Sequence, residues 1–132
     1  MNRSELREHI FRMLFRVEFN SAEEMKEQED LYFELLGETN EQDKTYILNK
    51  YKAIAAKKEE IDELLNERAT GWKTSRMNRV DLTILRLAVY ELRWDEEVPT
   101  GVAINEAVEL AKKYSSDEGP AFVNGVLAKL VD

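Results

Sequence analysis

The chain has 132 residues, 43% of them apolar, which suits one domain and buries roughly two-thirds of the extended-chain surface on folding. Asp and Glu number 27 against 19 Lys and Arg, a net charge of −8, which argues against a general nucleic-acid coat or an anionic-membrane binder but leaves room for a local basic patch. The absence of cysteine and the single histidine, His9, exclude disulfides, thiol nucleophiles, zinc knuckles and multi-His metal sites, and no apolar run reaches the ~18 residues of a membrane span.

Glycine and proline fall almost entirely between periodic segments, and runs of β-branched residues between turn dipeptides are missing, so the pattern reads as all-helical. A first helix is expected over about Ser4 to Phe19, with Ser4 as N-cap. Leu6, Ile10, Met13, Leu14 and Val17 form its apolar stripe at helical period, and Phe11 and Phe15 lie beside it. Arg7, Glu8, Arg12 and Arg16 interrupt any signal-peptide core there, so a soluble cytoplasmic protein is the default. A second helix is expected over Ala22 to Leu36, opened by Ser21 and Glu24 at capping-box spacing and stopped by Gly37. A third begins near Thr39 or Asn40 and extends to Ala69, with a kink expected near Ala55–Lys58, where the sequence turns polar.

Gly71 breaks the chain, and Trp72 to Asn78 reads as a turn or short helix. Val80 to Trp94 is apolar on most sides, the mark of a central, buried helix. Pro99 and Gly101 open a helix over Val102 to Tyr114. Ser115 to Pro120 is a loop, and Pro120 suits the first turn of the last helix. In that helix Ala121, Gly125 and Ala128 form a small-residue line expected to admit a neighbouring backbone.

The charge is uneven. Residues 18–43 hold ten acids and one base, a local −9, whereas residues 68–79 carry Arg68, Lys73, Arg76 and Arg79 with no acid. Residues 1–16 carry four arginines, Arg3 among them, against two glutamates. Folded onto one face, the two basic segments could hold phosphates.

Three constellations carry possible chemistry. Arg7, Arg12, Phe11 and Phe15 suit single-stranded RNA, since rings stack bases and arginines pair phosphates; spacing alone favours two core phenylalanines and ordinary surface arginines. Trp72, Lys73, Arg76 and Arg79 could bind RNA or cap the preceding helix dipole. In the loop Ser115–Pro120 with Phe122 and Asn124, Asp117 reads as a cap, Phe122 as core or stacking platform, and Asn124 as a buried bridge between helices. His9 reads as an exposed helix histidine. No nucleophile elbow, P-loop, dinucleotide fingerprint or EF-hand loop occurs, so neither enzyme activity nor a cofactor is expected.

Three stretches resemble the NusB family of transcription antitermination factors. They are Leu6-Arg-Glu-His-Ile-Phe-Arg-Met-Leu-Phe15, the run Trp72 to Leu92, and Val98 to Tyr114 followed by Phe122-Val-Asn-Gly-Val-Leu127. The resemblance covers nearly the whole chain and is weakest over residues 18–60. It implies an all-α, compact helical domain over residues 1–132, of about seven helices in two three-helix subdomains. It also implies binding of boxA RNA together with NusE, a ribosomal small-subunit protein, within the RNA polymerase antitermination complex, chiefly in ribosomal RNA operons. Some members of the family form a homodimer that hides the RNA face.

Residue by residue, the resemblance puts Arg7 at a family arginine that meets RNA backbone and Phe15 at an aromatic position. Tyr114, Glu118 and Phe122 stand where the family contacts RNA or its partner, and Asp81 at an acidic position linked to NusE. Asn105, Glu106 and Asn124 match positions expected to be structural. Arg3, Arg12, Arg76 and Arg79 complete the expected RNA contacts, with Asp81 and Glu118 on the partner side. Arg12 replaces a family glutamine, Ile10 a small alanine, and Ala121 a common lysine. The rivals are a helical protein–protein interaction module or dimer without RNA role and, more remotely, the NusB-like N-terminal domain of an RNA cytosine methyltransferase, whose catalytic domain and cysteines this chain lacks.

Overall fold

A computed structural model describes residues 1–131. Its described residues form seven α-helices and one 3-10 turn, with no strand. The helices are α1 (Arg3–Val17), α2 (Ala22–Leu36), α3 (Glu41–Ala56), α4 (Lys58–Arg68), α5 (Arg79–Trp94), α6 (Thr100–Tyr114) and α7 (Gly119–Ala128), and the turn is Thr74–Arg76. The chain divides into two compact units, Met1–Ala55 and the residues from Ala56 onward.

In the first unit each helix start is set by a polar side chain. Asn2, rather than Ser4, caps α1: its side chain accepts from the Glu5 N–H at 2.8 Å, and Glu5 accepts from the Asn2 N–H. Ser21 and Glu24 form the same reciprocal pair at α2, as their spacing implies. The Ser21 backbone N–H, then its hydroxyl, hold the Glu24 carboxyl below the usual carboxylate range. Gly37 ends α2 with φ at +88°, a conformation that favours glycine. Asn40 accepts from the Asp43 N–H at 2.8 Å and opens α3. The unit packs α1 against α2, with Ile10, Phe11, Met13, Leu14, Met25 and Phe33 buried. Tyr51 of α3 donates to Glu29 of α2. Burial, reinforced by that carboxylate, raises the Tyr51 phenol well above its ordinary range.

The long third helix of the sequence reading is two helices. The chain leaves helical geometry at Lys57 (φ −99°, ψ 5°), inside the polar stretch where a kink is expected. The second unit therefore holds four α-helices, not three. Its axis is α5, against which α4, α6 and α7 all pack. Residues 81–89 are buried without interruption, so the helix that is apolar on most sides is the central one. Three charged groups in α5 are buried with it. Asp81 lies at the first turn, Arg86 forms a fork with Asp62 of α4 (Nε–Oδ1 2.9 Å, Nη2–Oδ2 2.7 Å), and Glu91 is 1% exposed.

The last helix differs from expectation in one respect. Ala121, Gly125 and Ala128 are all exposed, and nothing lies within 4 Å of a Cβ built on Gly125. The close approach is at Gly119 instead. A Cβ there would stand 2.0 Å from Ser115 Oγ and 2.4 Å from Ser115 Cβ. No helix among the described residues is long and apolar enough to cross a membrane.

Candidate nucleic-acid interface

The residues singled out from the sequence fall into one group in each unit. In the first unit they lie on α1. Arg3 is exposed in its first turn, Arg12 and Phe15 are half-buried, and Arg7 is buried at 4% exposure. Arg7 is thus not an ordinary surface arginine, and its guanidinium presents little area to a ligand of the free chain. Phe11 is core, at 3% exposure. Phe15 sits between the rings of Phe11 (centroids 6.4 Å apart) and Phe19 (5.1 Å, edge-on). Phe19 is 60% exposed, so the aromatic row runs from the core to solvent. Arg12 Nη2 stands 3.8 Å from Glu8, a loose pair at the surface. His9 is half-buried, not a bare surface histidine: its Nδ1 meets the Tyr32 hydroxyl at 2.5 Å.

The second unit brings its group together around a cavity of about 350 Å³, lined by Trp72, Arg76, Met77, Asn78, Asp81, Ser116, Glu118, Gly119 and Phe122. The cavity exists because three chain segments converge: the connection after α4, the first turn of α5 and the start of α7. The connection is held by Asn66, whose side chain accepts from the Thr74 N–H at 2.8 Å. Asn78 accepts from the Asp81 N–H at 2.8 Å and so starts α5; its amide donates to Asp81 Oδ2 at 2.9 Å. The other Asp81 oxygen accepts from Ser115 Oγ at 2.5 Å. Asp81, at 6% exposure, therefore ties the α6–α7 loop to the start of α5, with both oxygens engaged inside the chain.

Over this scaffold Trp72 and Phe122 meet edge-to-face, centroids 5.3 Å apart at 73°. Trp72 is 52% exposed. An aromatic ring held against a second one and half open to solvent can serve as a stacking platform for an unstacked base. Arg76 is exposed beside it, and Arg79 is exposed one helix position into α5. Glu118 is exposed and stands at the N-cap of α7 without capping it; Asp117 lies one residue earlier and is not the cap. Tyr114 is half-buried at the end of α6, with Lys113 Nζ 5.6 Å from its ring centre. Asn124 is exposed and bridges no helices, and Asn105 is exposed as well.

Aromatic faces, arginines, and amide and carboxylate groups at a cavity rim can stack, neutralise and hydrogen-bond a polynucleotide. No group of three or more His, Cys, Asp or Glu among the described residues is placed to hold a metal. Sequence reasoning did not single out Asn78, Ser116 or Gly119, which shape the cavity. The Asn78-x-x-Asp81 spacing is a cap signal that could have found the first.

Comparison with known proteins covers nearly the whole chain. The family model described as the NusB family matches residues 4–132. The transcription antitermination protein NusB of Agathobacter rectalis is 54% identical over 129 residues, covering 98% of each chain. That of Lachnoclostridium phytofermentans is 50% identical over the full length of both. Among solved structures, T. maritima NusB superposes with a TM-score of 0.84 at 30% identity, covering 98% of this chain and 90% of its own. A crystal structure of antitermination factors NusB and NusE in complex with dsRNA gives 0.80 at 26%, covering 96% and 92%.

Proposed function

The chain belongs to the NusB family, and from that premise we propose that it is a bacterial transcription antitermination factor that binds boxA-type RNA together with NusE. The observation that carries the reading is end-to-end similarity to antitermination proteins at half or more identity. The Trp72–Phe122 platform beside Arg76 supports it. The protein works without chemistry of its own, by presenting surface to nascent RNA and to NusE on the elongating polymerase, chiefly in ribosomal RNA operons.

The roles follow from exposure. Arg76, Arg79, Arg3 and Arg12 neutralise phosphates, while Trp72, Phe122, Tyr114 and Phe15 offer ring surface to bases. Asp81, buried, is a positioning residue that holds the loop carrying Glu118. Glu118 is the exposed carboxylate available to the protein partner.

The test is binding of labelled boxA-type single-stranded RNA, with and without NusE, against scrambled and double-stranded RNA at two salt concentrations. Selective binding strengthened by NusE is expected. Arg76→Ala should flatten the dependence of log affinity on log salt by about 0.7, one phosphate on a single strand. Phe122→Ala should weaken all RNAs alike at unchanged slope. Binding that is indifferent to sequence with NusE present overturns the reading and leaves a helical protein–protein module or homodimer in its place.

A further inference from the structure

The first unit carries a second surface, of which the RNA reading uses only Arg12. A groove of about 230 Å³ runs between α1 and α2, lined by Arg12, Arg16, Gln28, Leu31, Tyr32, Leu35 and Leu36. It is smaller than the roughly 300–1,000 Å³ of small-molecule sites. Its floor is aliphatic and open: Leu35 is 78% exposed and Leu31 49%. Leu35 is the most exposed large hydrophobic side chain among the described residues, and the two leucines stand one helical turn apart. Such a pair, rimmed by charge, marks an interaction surface rather than scattered exposure.

The two rims differ in sign. On α1, Arg16 lies over Tyr32, its guanidinium carbon 4.9 Å from the ring centre, and Nη1 donates to the Arg12 carbonyl at 2.7 Å. Arg16 is therefore held in place, yet it meets no carboxylate among the described residues. On α2, Glu27 and Glu34 are exposed at i−4 and i+3 from Leu31; they do not line the groove itself, and helical spacing sets them on the outer flank of Leu31. The glutamates would repel a phosphate backbone, and leucines give a base nothing to stack on. An aliphatic stripe between two charged edges is instead what an amphipathic helix reads.

We propose that this groove docks an amphipathic helix of a protein partner, with leucine-type side chains on Leu31 and Leu35, an acidic edge along Arg12 and Arg16, and a basic edge along Glu27 and Glu34. Its apolar anchors, Leu31 and Leu35, have no part in the RNA reading, which shares only Arg12 with this groove. Opposite charge on the two edges fixes the direction of the docked helix, because reversal sets like charges face to face.

The probe is a labelled synthetic helix with leucines at i, i+3, i+4 and i+7, glutamates along one edge and lysines along the other, compared with a peptide of identical composition whose edges are exchanged. Fluorescence anisotropy on the full chain should show the first binding at least about tenfold tighter. Leu31→Gln/Leu35→Gln, whose side chains are exposed and whose fold circular dichroism checks, should weaken it about tenfold and leave boxA RNA binding unchanged. Arg16→Glu should shift preference toward the edge-exchanged peptide. Equal binding of both peptides, or indifference to the leucine pair, overturns the proposal. So does loss of RNA binding in the leucine variant, which would make the groove an RNA surface. Dimerisation of the wild type abolished by the leucine variant also overturns it, by assigning the groove to a second copy.

Discussion

Gly119→Ala isolates the joint that shapes the Trp72–Phe122 cavity. The new methyl would stand 2.0 Å from Ser115 Oγ and 2.4 Å from Ser115 Cβ. The second contact is the decisive one, because Cβ is fixed to the backbone and no rotamer moves it away. Relief therefore requires the α6–α7 loop to shift, which pulls Ser115 Oγ from its 2.5 Å hydrogen bond to buried Asp81. Overpacking of this kind costs ~1–3 kcal/mol, and stripping a donor from a buried acceptor another ~1–3 kcal/mol. A loss of about 2–6 kcal/mol is expected, a large part of a small domain's stability. In urea, with a slope of ~1–3 kcal/mol/M, a mid-range loss moves the midpoint down by about 1–4 M. Ser115→Gly supplies the control: it removes the obstructing Cβ, so Gly119→Ala in that background should cost at least about 1 kcal/mol less than in the wild type. A midpoint for Gly119→Ala unchanged within error, or the same cost in both backgrounds, would refute the steric account.

Gly125→Ala is the mirror case: an exposed position in the interior of α7 with no neighbour within 4 Å should gain about 0.5–1 kcal/mol in the same urea assay. Asp62→Ala leaves the Arg86 fork without its carboxylate and should cost about 2–4 kcal/mol, below the figure for a fully buried pair because Asp62 keeps 22% exposure; Asp62→Glu should restore less than half of it, since the fork geometry is lost. Tyr51, with its pKa raised in the folded chain, contributes stability that is complete below the ordinary phenol value near 10 and is lost as pH climbs from there toward the folded value. Tyr51→Phe should therefore show a shallower alkaline decline of the urea midpoint, and phenolate absorbance should show one tyrosine of the five ionising last.

Local chemistry was legible where one short-range signal dominates. α2 begins and ends where Ser21, Glu24 and Gly37 place it, and α5 is buried because its apolar residues leave it no solvent face. The start of α1 was misplaced although the signal was present. Ser4 and Asn2 are comparable caps, but only Asn2 has a glutamate three residues on to return the hydrogen bond. The break at Lys57 was legible as a region, because the polar run from Lys57 to Glu60 interrupts the apolar stripe, and not as a residue, because no cap or glycine marks it. The close approach falls at Gly119 and not along the line of Ala121, Gly125 and Ala128 for a related reason. Residue size says where a close approach is possible, whereas the carbonyls and side chains four residues back, here Ser115, decide where it occurs. The platform itself joins Trp72 to Phe122 across fifty positions, and no period or spacing predicts such a contact. Only the resemblance set both stretches in one functional frame, and only the coordinates show that Asp81, an expected partner contact, also holds Ser115 and the loop behind Glu118.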